Sequence, residues 1–357
     1  MAQLKGLILS GGKGTRLRPI THTSAKQLVP VANRPVLFYG IQSMADAGIE
    51  EVGIIIAPET GDEIRALTGD GSAFGVTLTY IEQDAPLGLA HAVLTAEPFL
   101  GDSPFVMYLG DNLLQGGIEA LVAAFQRNSP DALILLTPVP DPQHYGVAEL
   151  ADGRVVRLAE KPPEPKTDLA LVGVYMFTAG IHEAARAIRP SARGELEITD
   201  AIQHLVDTGR RVEPHIVQGW WKDTGRLDDM LEANRLVLDT MQARVEGELV
   251  DSRVDGRVVV EPGARLERAT VRGPAVIGAG AQLTDCYIGP YTAIGEDCVI
   301  ERAEVEHSIL LAGSSVRHLD GRMESSLLGR NVHIARGVRQ PRAYRFMVGD
   351  NSEIGIL

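Results

Sequence analysis

The sequence predicts an α/β chain in two parts. Residues 1–240 read as a mostly parallel, helix-covered sheet, and residues 241–357 as a coiled stack of short parallel strands. Three observations carry this. Apolar runs such as LKGLIL, VGIIIA and FVMYL alternate with helix-like stretches, the pattern of strands buried on both faces. Beyond about Met241 the helical patterning stops and short apolar–glycine units appear, VIGAGA, YIGPYT and AIGEDC. In that second part apolar residues recur at a spacing of 17.

Taken in order, Leu4–Leu9 is the first buried strand, and Pro35 opens a helix through Ala47 with Gly48 just past its end. Strands follow at Val52–Ala57, Leu78–Ile81, Phe105–Leu109, Leu133–Pro138 and His215–Val217, with helices at Leu89–Ala96 and Ile118–Arg127 between them. Ligands of such sheets bind beyond the carboxyl ends of the strands, where Gly11 and Asp111 fall.

In the second part Val260, Ile277, Ile294 and Leu311 form one column at intervals of 17. Leu266, Leu283 and Ile300 form another, and Val271, Ile288 and Val305 a third, with Leu328 a further 17 after Leu311. Steps of 6, 5 and 6 residues between columns mean a triangular coil with one shared interior. Gly278 and Gly295 keep the same register, at positions where the chain is expected to turn a corner.

The chain has 357 residues, 47 acidic against 34 basic, and a net charge of -13. That balance argues against nucleic acid or an anionic membrane as the main partner, but not against a nucleotide, which needs only local cations. Cys286 and Cys298 are the only cysteines, so there is no disulfide framework, and free thiols are expected. The N-terminus lacks a signal-peptide layout and no apolar run approaches membrane length, so a soluble, cytoplasmic protein is expected. His307, His318 and His333 are spaced by 11 and 15 rather than 17, which favours ordinary polar positions over a shared zinc.

The most informative stretch is GGKGTRLRP, Gly11–Pro19, directly after the first strand. It lacks the GK[ST] ending of a Walker A loop, and Leu17 stands where a dinucleotide loop has its last glycine. Its backbone N–H groups can still cradle a polyphosphate, with Arg16 offering a planar fork for phosphate oxygens. A tight turn with solvated basic residues reads equally well from the loop alone. Lys26, ten residues after Arg16, adds a second cation and favours the phosphate site. Asp111, after FVMYLG, suits a metal ligand or the N-cap of a following helix.

The segment GGKGTRLRPITHTSAKQLVPVANRPV resembles the signature of sugar-1-phosphate nucleotidyltransferases, nearest to the glucose-1-phosphate thymidylyltransferases. Five more segments agree in order: EQDAPLGLAHAV, YLGDN, LAEKP, RGELEITD and WWKDTG. The resemblance covers roughly residues 1–240 and implies a Rossmann-like nucleotidyltransferase domain. The repeats beyond it resemble the left-handed parallel β-helix of the long form of that family, and the handedness is taken from this resemblance alone. The implied reaction joins dTTP to glucose 1-phosphate, giving dTDP-glucose and pyrophosphate, with Mg²⁺ as cofactor. An ionised sugar phosphate needs no base, which fits the lack of a Ser-His-Asp arrangement.

Residue by residue, the resemblance implies catalytic roles for Arg16, Lys26 and Lys161. It implies nucleotide contacts from Leu9, Gly11, Gly12, Gly14, Thr15, Gln27, Gln83, Pro86, Gly88 and Asp111. Tyr145, Gly146, Glu160, Lys161, Val172, Arg193 and Trp221 are implied at the sugar phosphate, with Gly173, Glu195 and Asp200 nearby, and Asp111 and Asp223 at the metal. Trp221 suits a pocket wall or plain core. Gln83 carries a donor and an acceptor that suit the thymine edge, and Gly88 is expected to let that edge reach the backbone. The glycines of Tyr145–Gly146 and Val172–Gly173 are expected to admit the sugar ring. The alternatives are a relative using UTP, GTP or ATP, an acetyltransferase activity in the β-helix, or a catalytically silent regulatory homologue. A homo-oligomer is expected from the β-helix.

Overall fold

The computed structural model describes residues 3–12, 14–22 and 24–336. Its first part runs β1 (Lys5–Leu9), α1 (Val36–Asp46), β2 (Glu51–Ile56), α2 (Gly61–Thr68), β3 (Thr77–Glu82), α3 (Leu89–Thr95) and β4 (Phe105–Leu109). β5 (Asn112–Leu114), α4 (Glu119–Asn128), β6 (Ala132–Pro138), β7 (Gly146–Ala151), β8 (Arg154–Glu160) and β9 (Leu169–Phe177) follow. It closes with α5 (Gly180–Ala187), α6 (Ile198–Asp207), β10 (Val212–Ile216), β11 (Trp221–Asp223) and α7 (Leu227–Leu238).

β1 lies at the centre, parallel to β2 and β4, and β2 is parallel to β3. Alternate residues of β1 feed two cores: Leu7 and Leu9 pack on one face of the sheet, Ile8 on the other. Continuous apolar strands follow from this two-sided burial. Beyond these and the further parallel pair of β6 and β10, the sheet also holds antiparallel pairs. β9 runs antiparallel to β4, β6 and β7, and β7 and β8 form an antiparallel hairpin. The hairpin turns at Asp152–Gly153, both with positive φ, the Asp-Gly chemistry of a tight β-turn. The sheet is therefore mixed, with a parallel half that holds the glycine loop and an antiparallel half built from residues 146–177.

Among the described residues, the chain from Arg244 winds into three parallel sheets of six, six and five short strands, the parallel β-helix expected from the repeats. Val260 pairs with Ile277 and Ile277 with Ile294; the columns through Leu266 and Val271 stack likewise in a fully buried interior. The first column then breaks from the expected spacing. Ile294 pairs with Leu310 rather than Leu311, and Leu310 pairs with Leu328. The corner between Val305 and Leu310 is one residue short, and the one between Val316 and Met323 is two residues long. Leu311 instead leaves the interior. Gly278 and Gly295 are needed for a different reason from the one expected. A Cβ on either would stand 2.7 Å from backbone of the next coil, so close stacking excludes a side chain there.

Leu311 joins an apolar layer between the two parts. Val259, Val276, Ala293 and Ile309 face outward from one β-helix sheet onto Val31, Val36 and the α7 residues Met230 and Val237. Asn234 of α7 bridges the seam: its Oδ1 accepts from the Ala32 N–H at 2.9 Å, and its Nδ2 donates to the Tyr291 carbonyl at 2.9 Å. Both thiols, Cys286 and Cys298, are free and buried. His307 contacts Ser325 and His333 contacts Ser315, at 3.2 and 2.9 Å. Among the described residues no helix is long and apolar enough to cross a membrane. Residues 337–357 of the expected second part lie outside the described residues.

Candidate active site

The glycine loop follows β1 directly, where Ser10 N–H still bonds the Ile55 carbonyl at 2.9 Å. Gly14 has φ 60°, and a Cβ on it would stand 2.9 Å from the Lys26 Cβ. Glycine is thus demanded twice, by conformation and by the close passage of the Lys26 segment. Thr15–Leu17 form a short 3₁₀ turn that sends Leu17 into the apolar layer and Arg16 toward Gly225 and Asp223. Leu17 occupies the place of a dinucleotide-loop glycine because it anchors the loop to the protein's own core.

Lys26 and Asp111 form a part-buried ion pair. Asp111 follows β4 by two residues and precedes a strand, β5, not a helix, so it caps no helix. β5 pairs with β11 in a two-stranded antiparallel ribbon that sets Asp223 opposite Asn112. Asp223 is therefore the last residue of a short strand rather than a loop residue beyond His215–Val217. The ribbon is tied by the Thr224 N–H and Oγ1 to the Asp111 carbonyl, at 3.0 and 2.8 Å. Asn112 Nδ2 donates to Asp111 Oδ1 at 2.9 Å, and Trp221 Nε1 donates to Asn112 Oδ1 at 2.6 Å.

Burial works against charge on all three groups. For the Lys26–Asp111 pair the mutual attraction outweighs it, holding the Asp111 carboxyl below and the Lys26 ammonium above their ordinary values. Asp223 lacks such a partner: burial, then the adjacent Asp111 charge, push it up to about 7. Among the described residues its buried Oδ1 has no hydrogen-bond partner. A buried carboxylate oxygen without a donor, beside a second carboxylate, fits a divalent cation. Among the described residues there is no group of three or more His, Cys, Asp or Glu that could enclose a metal. Two carboxylates leave coordination positions for phosphate oxygens and water, which suits Mg²⁺.

Two cavities flank this cluster. The smaller, about 250 Å³, is lined by Leu9, Gly11, Gly12, Lys26, Gln27, Gln83, Pro86, Gly88, Asp111 and Glu195. The buried Gln27 Oε1 there has no hydrogen-bond partner among the described residues. The larger, about 580 Å³, is lined by Arg16, Tyr145, Gly146, Glu160, Lys161, Gly173, Trp221 and Asp223. Leu89 and Leu109 line both. Neither Gly14 nor Thr15 lines either cavity; they shape the turn that carries Arg16.

On the larger side Glu160 is held from both oxygens. Its Oε1 meets Lys161 Nζ at 3.2 Å and Arg193 at 3.1 Å, and its Oε2 accepts from Thr199 Oγ1 at 3.0 Å. Arg193 is itself clamped by the buried Glu197, at 2.8 and 2.9 Å. Tyr145 and Trp221 meet edge to face, 5.5 Å apart, so Trp221 walls the cavity. Val172 is fully buried in the core of the sheet, and its neighbour Gly173 lines the cavity instead. Glu195 faces the smaller cavity. Asp200, whose carboxyl burial and then Glu197 push above its ordinary value, lines neither cavity.

Three of the cavity-lining glycines are demanded by the protein's own packing. A Cβ on Gly146 would stand 2.6 Å from Thr199 Cγ2, and one on Gly173 2.6 Å from Asn112 Oδ1. Gly88, at φ 106°, would meet the Leu196 carbonyl at 2.3 Å. Each makes room for a side chain or strand that completes the site. Asn112, Thr199 and Glu197 were missed as site residues. Their signal was local: Asn112 follows Asp111 directly, and Glu197 stands four residues after Arg193 in RGELEITD.

Residues 5–240 match the family described as nucleotidyl transferase. The chain is 56% identical to a glucose-1-phosphate thymidylyltransferase of Streptomyces antibioticus and 55% identical to one of Streptomyces griseus, each over 356 residues and 99% of both chains. Among solved structures it is similar to one from Bacillus anthracis, named as a candidate glucose-1-phosphate thymidylyltransferase with a sucrose bound. That match has a TM-score of 0.64 and 34% identity, over 68% of this chain and 98% of the other. The chain belongs to the nucleotidyl transferase family, with glucose-1-phosphate thymidylyltransferases among its full-length relatives.

Proposed function

We propose that this enzyme transfers a thymidylyl group from dTTP to glucose 1-phosphate, releasing pyrophosphate and forming dTDP-glucose. The observation that carries the reading is the Lys26–Asp111–Asp223 cluster at the junction of two cavities, one suited to a nucleotide and one to a sugar phosphate. The glycine loop and Lys26 bind the triphosphate on one side. Lys161 and Arg193 offer charge to the sugar phosphate on the other, and Glu160 accepts from a sugar hydroxyl. Holding two polyanions in line for attack on the α-phosphorus is the main task. Arg16 reaches over Asp223, where charge builds as the bond to pyrophosphate breaks. Mg²⁺ held by Asp111 and Asp223 would neutralise phosphate charge there.

Selection of thymine rests on Gln83 and the surrounding apolar walls. The thymine methyl is worth roughly 1–3 kcal/mol in an apolar pocket, so dTTP is preferred, UTP is also used and purine triphosphates are poor. Residues 1–240 act as the catalytic unit in this reading, and 241–357 serve assembly or regulation in a cytoplasmic homo-oligomer. Pyrophosphate release with glucose 1-phosphate and each of dTTP, UTP, GTP and ATP tests the assignment. GTP or ATP as best substrate overturns the base assignment, and no release with any of them favours a silent homologue.

A further inference from the structure

Gln83 follows β3 and is 8% exposed, with its amide at the rim of the smaller cavity. Its Nε2 lies 3.3 Å from the Gly88 carbonyl and 2.9 Å from His91 Nδ1. A carbonyl oxygen can only accept, so the nitrogen end of the amide must point this way. His91 Nδ1 then accepts the second N–H, which places the ring proton on Nε2. Both amide hydrogens are thereby committed within the protein. The remaining Oε1 lies 3.5 Å from where a Cβ on Gly11 would stand. No hydrogen bond engages Oε1 among the described residues, and Gln83 lines the cavity.

We infer that His91 is a positioning residue that locks the Gln83 amide, so that Gln83 offers the base an acceptor only. This rests on the smaller cavity being the base site. It departs from the expectation that Gln83 uses both ends of its amide on the base. An acceptor alone matches the N3–H of thymine or uracil. It repels cytosine, which has a bare N3 lone pair at that position, and adenine, whose N1 is equally bare. Guanine has an N1–H and must be refused by size. His91 acts from α3, one turn after Gly88, and touches no base itself.

The test compares kcat/KM for dTTP and dCTP, which share a deoxyribose and differ at the edge Gln83 meets. Their ratio is independent of the folded fraction of each variant. His91→Leu removes the acceptor and frees the amide to rotate, so the dTTP preference should shrink about tenfold. His91→Asn places an oxygen where Nδ1 stood and should restore the parent ratio. A His91→Leu ratio within about twofold of the parent overturns the inference. Gln83→Ala separates the two levels of failure. If it collapses the ratio while His91→Leu does not, only the role of His91 falls. If it leaves the ratio unchanged, the base-site reading falls with it.

Discussion

Asp223 stands opposite Asn112 in the ribbon formed by β5 and β11, one residue from Asp111 along the facing strand. Two carboxylates separated by 112 positions in the chain thus share one buried place. Among the described residues only Asp111 forms an ion pair, with Lys26, while Lys26 and Arg16 act on Asp223 without direct pairing.

This asymmetry makes the two aspartates separable by substitution. Asp111→Asn and Asp223→Asn should each lower turnover by about 100-fold or more, since each removes charge from the phosphate-metal centre. Their effects on stability should differ. Asp111→Asn leaves the part-buried Lys26 without its paired carboxylate and should cost about 3–5 kcal/mol. Asp223→Asn removes an unpaired buried carboxyl and should leave stability unchanged or raise it. Denaturant unfolding in the absence of metal, alongside the steady-state rate, checks both halves; near-normal turnover in either variant defeats the metal assignment.

Glu197 holds Arg193 against Glu160 without lining either cavity. Glu197→Gln should raise the KM for glucose 1-phosphate by about tenfold while leaving the KM for dTTP unchanged, because a charge-assisted clamp is replaced by a neutral one. Equal changes in both constants would place Glu197 in general stability instead.

The layer between the two parts makes them interdependent. Asn234→Ala leaves the Ala32 N–H and the Tyr291 carbonyl without partners and should cost about 2 kcal/mol. Truncation near residue 245 should do more, since it uncovers Val31, Met230 and Leu17, the residue next to Arg16. Light scattering and thermal denaturation of the truncated chain should show association and a lowered midpoint; an unchanged, monodisperse protein would contradict this.

Burial pushes the Cys286 thiol up to about 12 and raises Cys298 as well. The folded state therefore holds these protons where an unfolded chain begins to lose them, near pH 9. Stability from these thiols is fully present below that pH and declines as pH rises toward 12. Both thiols should react slowly with a thiol reagent at pH 8 and rapidly in denaturant. Fast labelling of native protein would mean that the β-helix interior is open.

The sequence by itself determined the two-part architecture, the buried parallel strands and the 17-residue coil, because periodic burial is written locally as periodic apolar residues. It also marked the glycine loop and the cations Arg16 and Lys26 that the structure brings to the candidate site, since such a loop has a local spelling. The Asp152–Gly153 turn is equally local, an Asp-Gly pair with positive φ at both residues. What tertiary structure decided was everything that depends on distant partners. Asp223 becomes a neighbour of Asp111 only through ribbon pairing, and β9 is antiparallel only because of what lies beside it. Leu310 rather than Leu311 faces the coil interior because a shortened corner shifts the register, which spacing alone does not reveal. Nothing in the local sequence says why Gly88, Gly146 and Gly173 must lack a side chain. Only the positions of Leu196, Thr199 and Asn112 show that each yields space to the protein's own atoms.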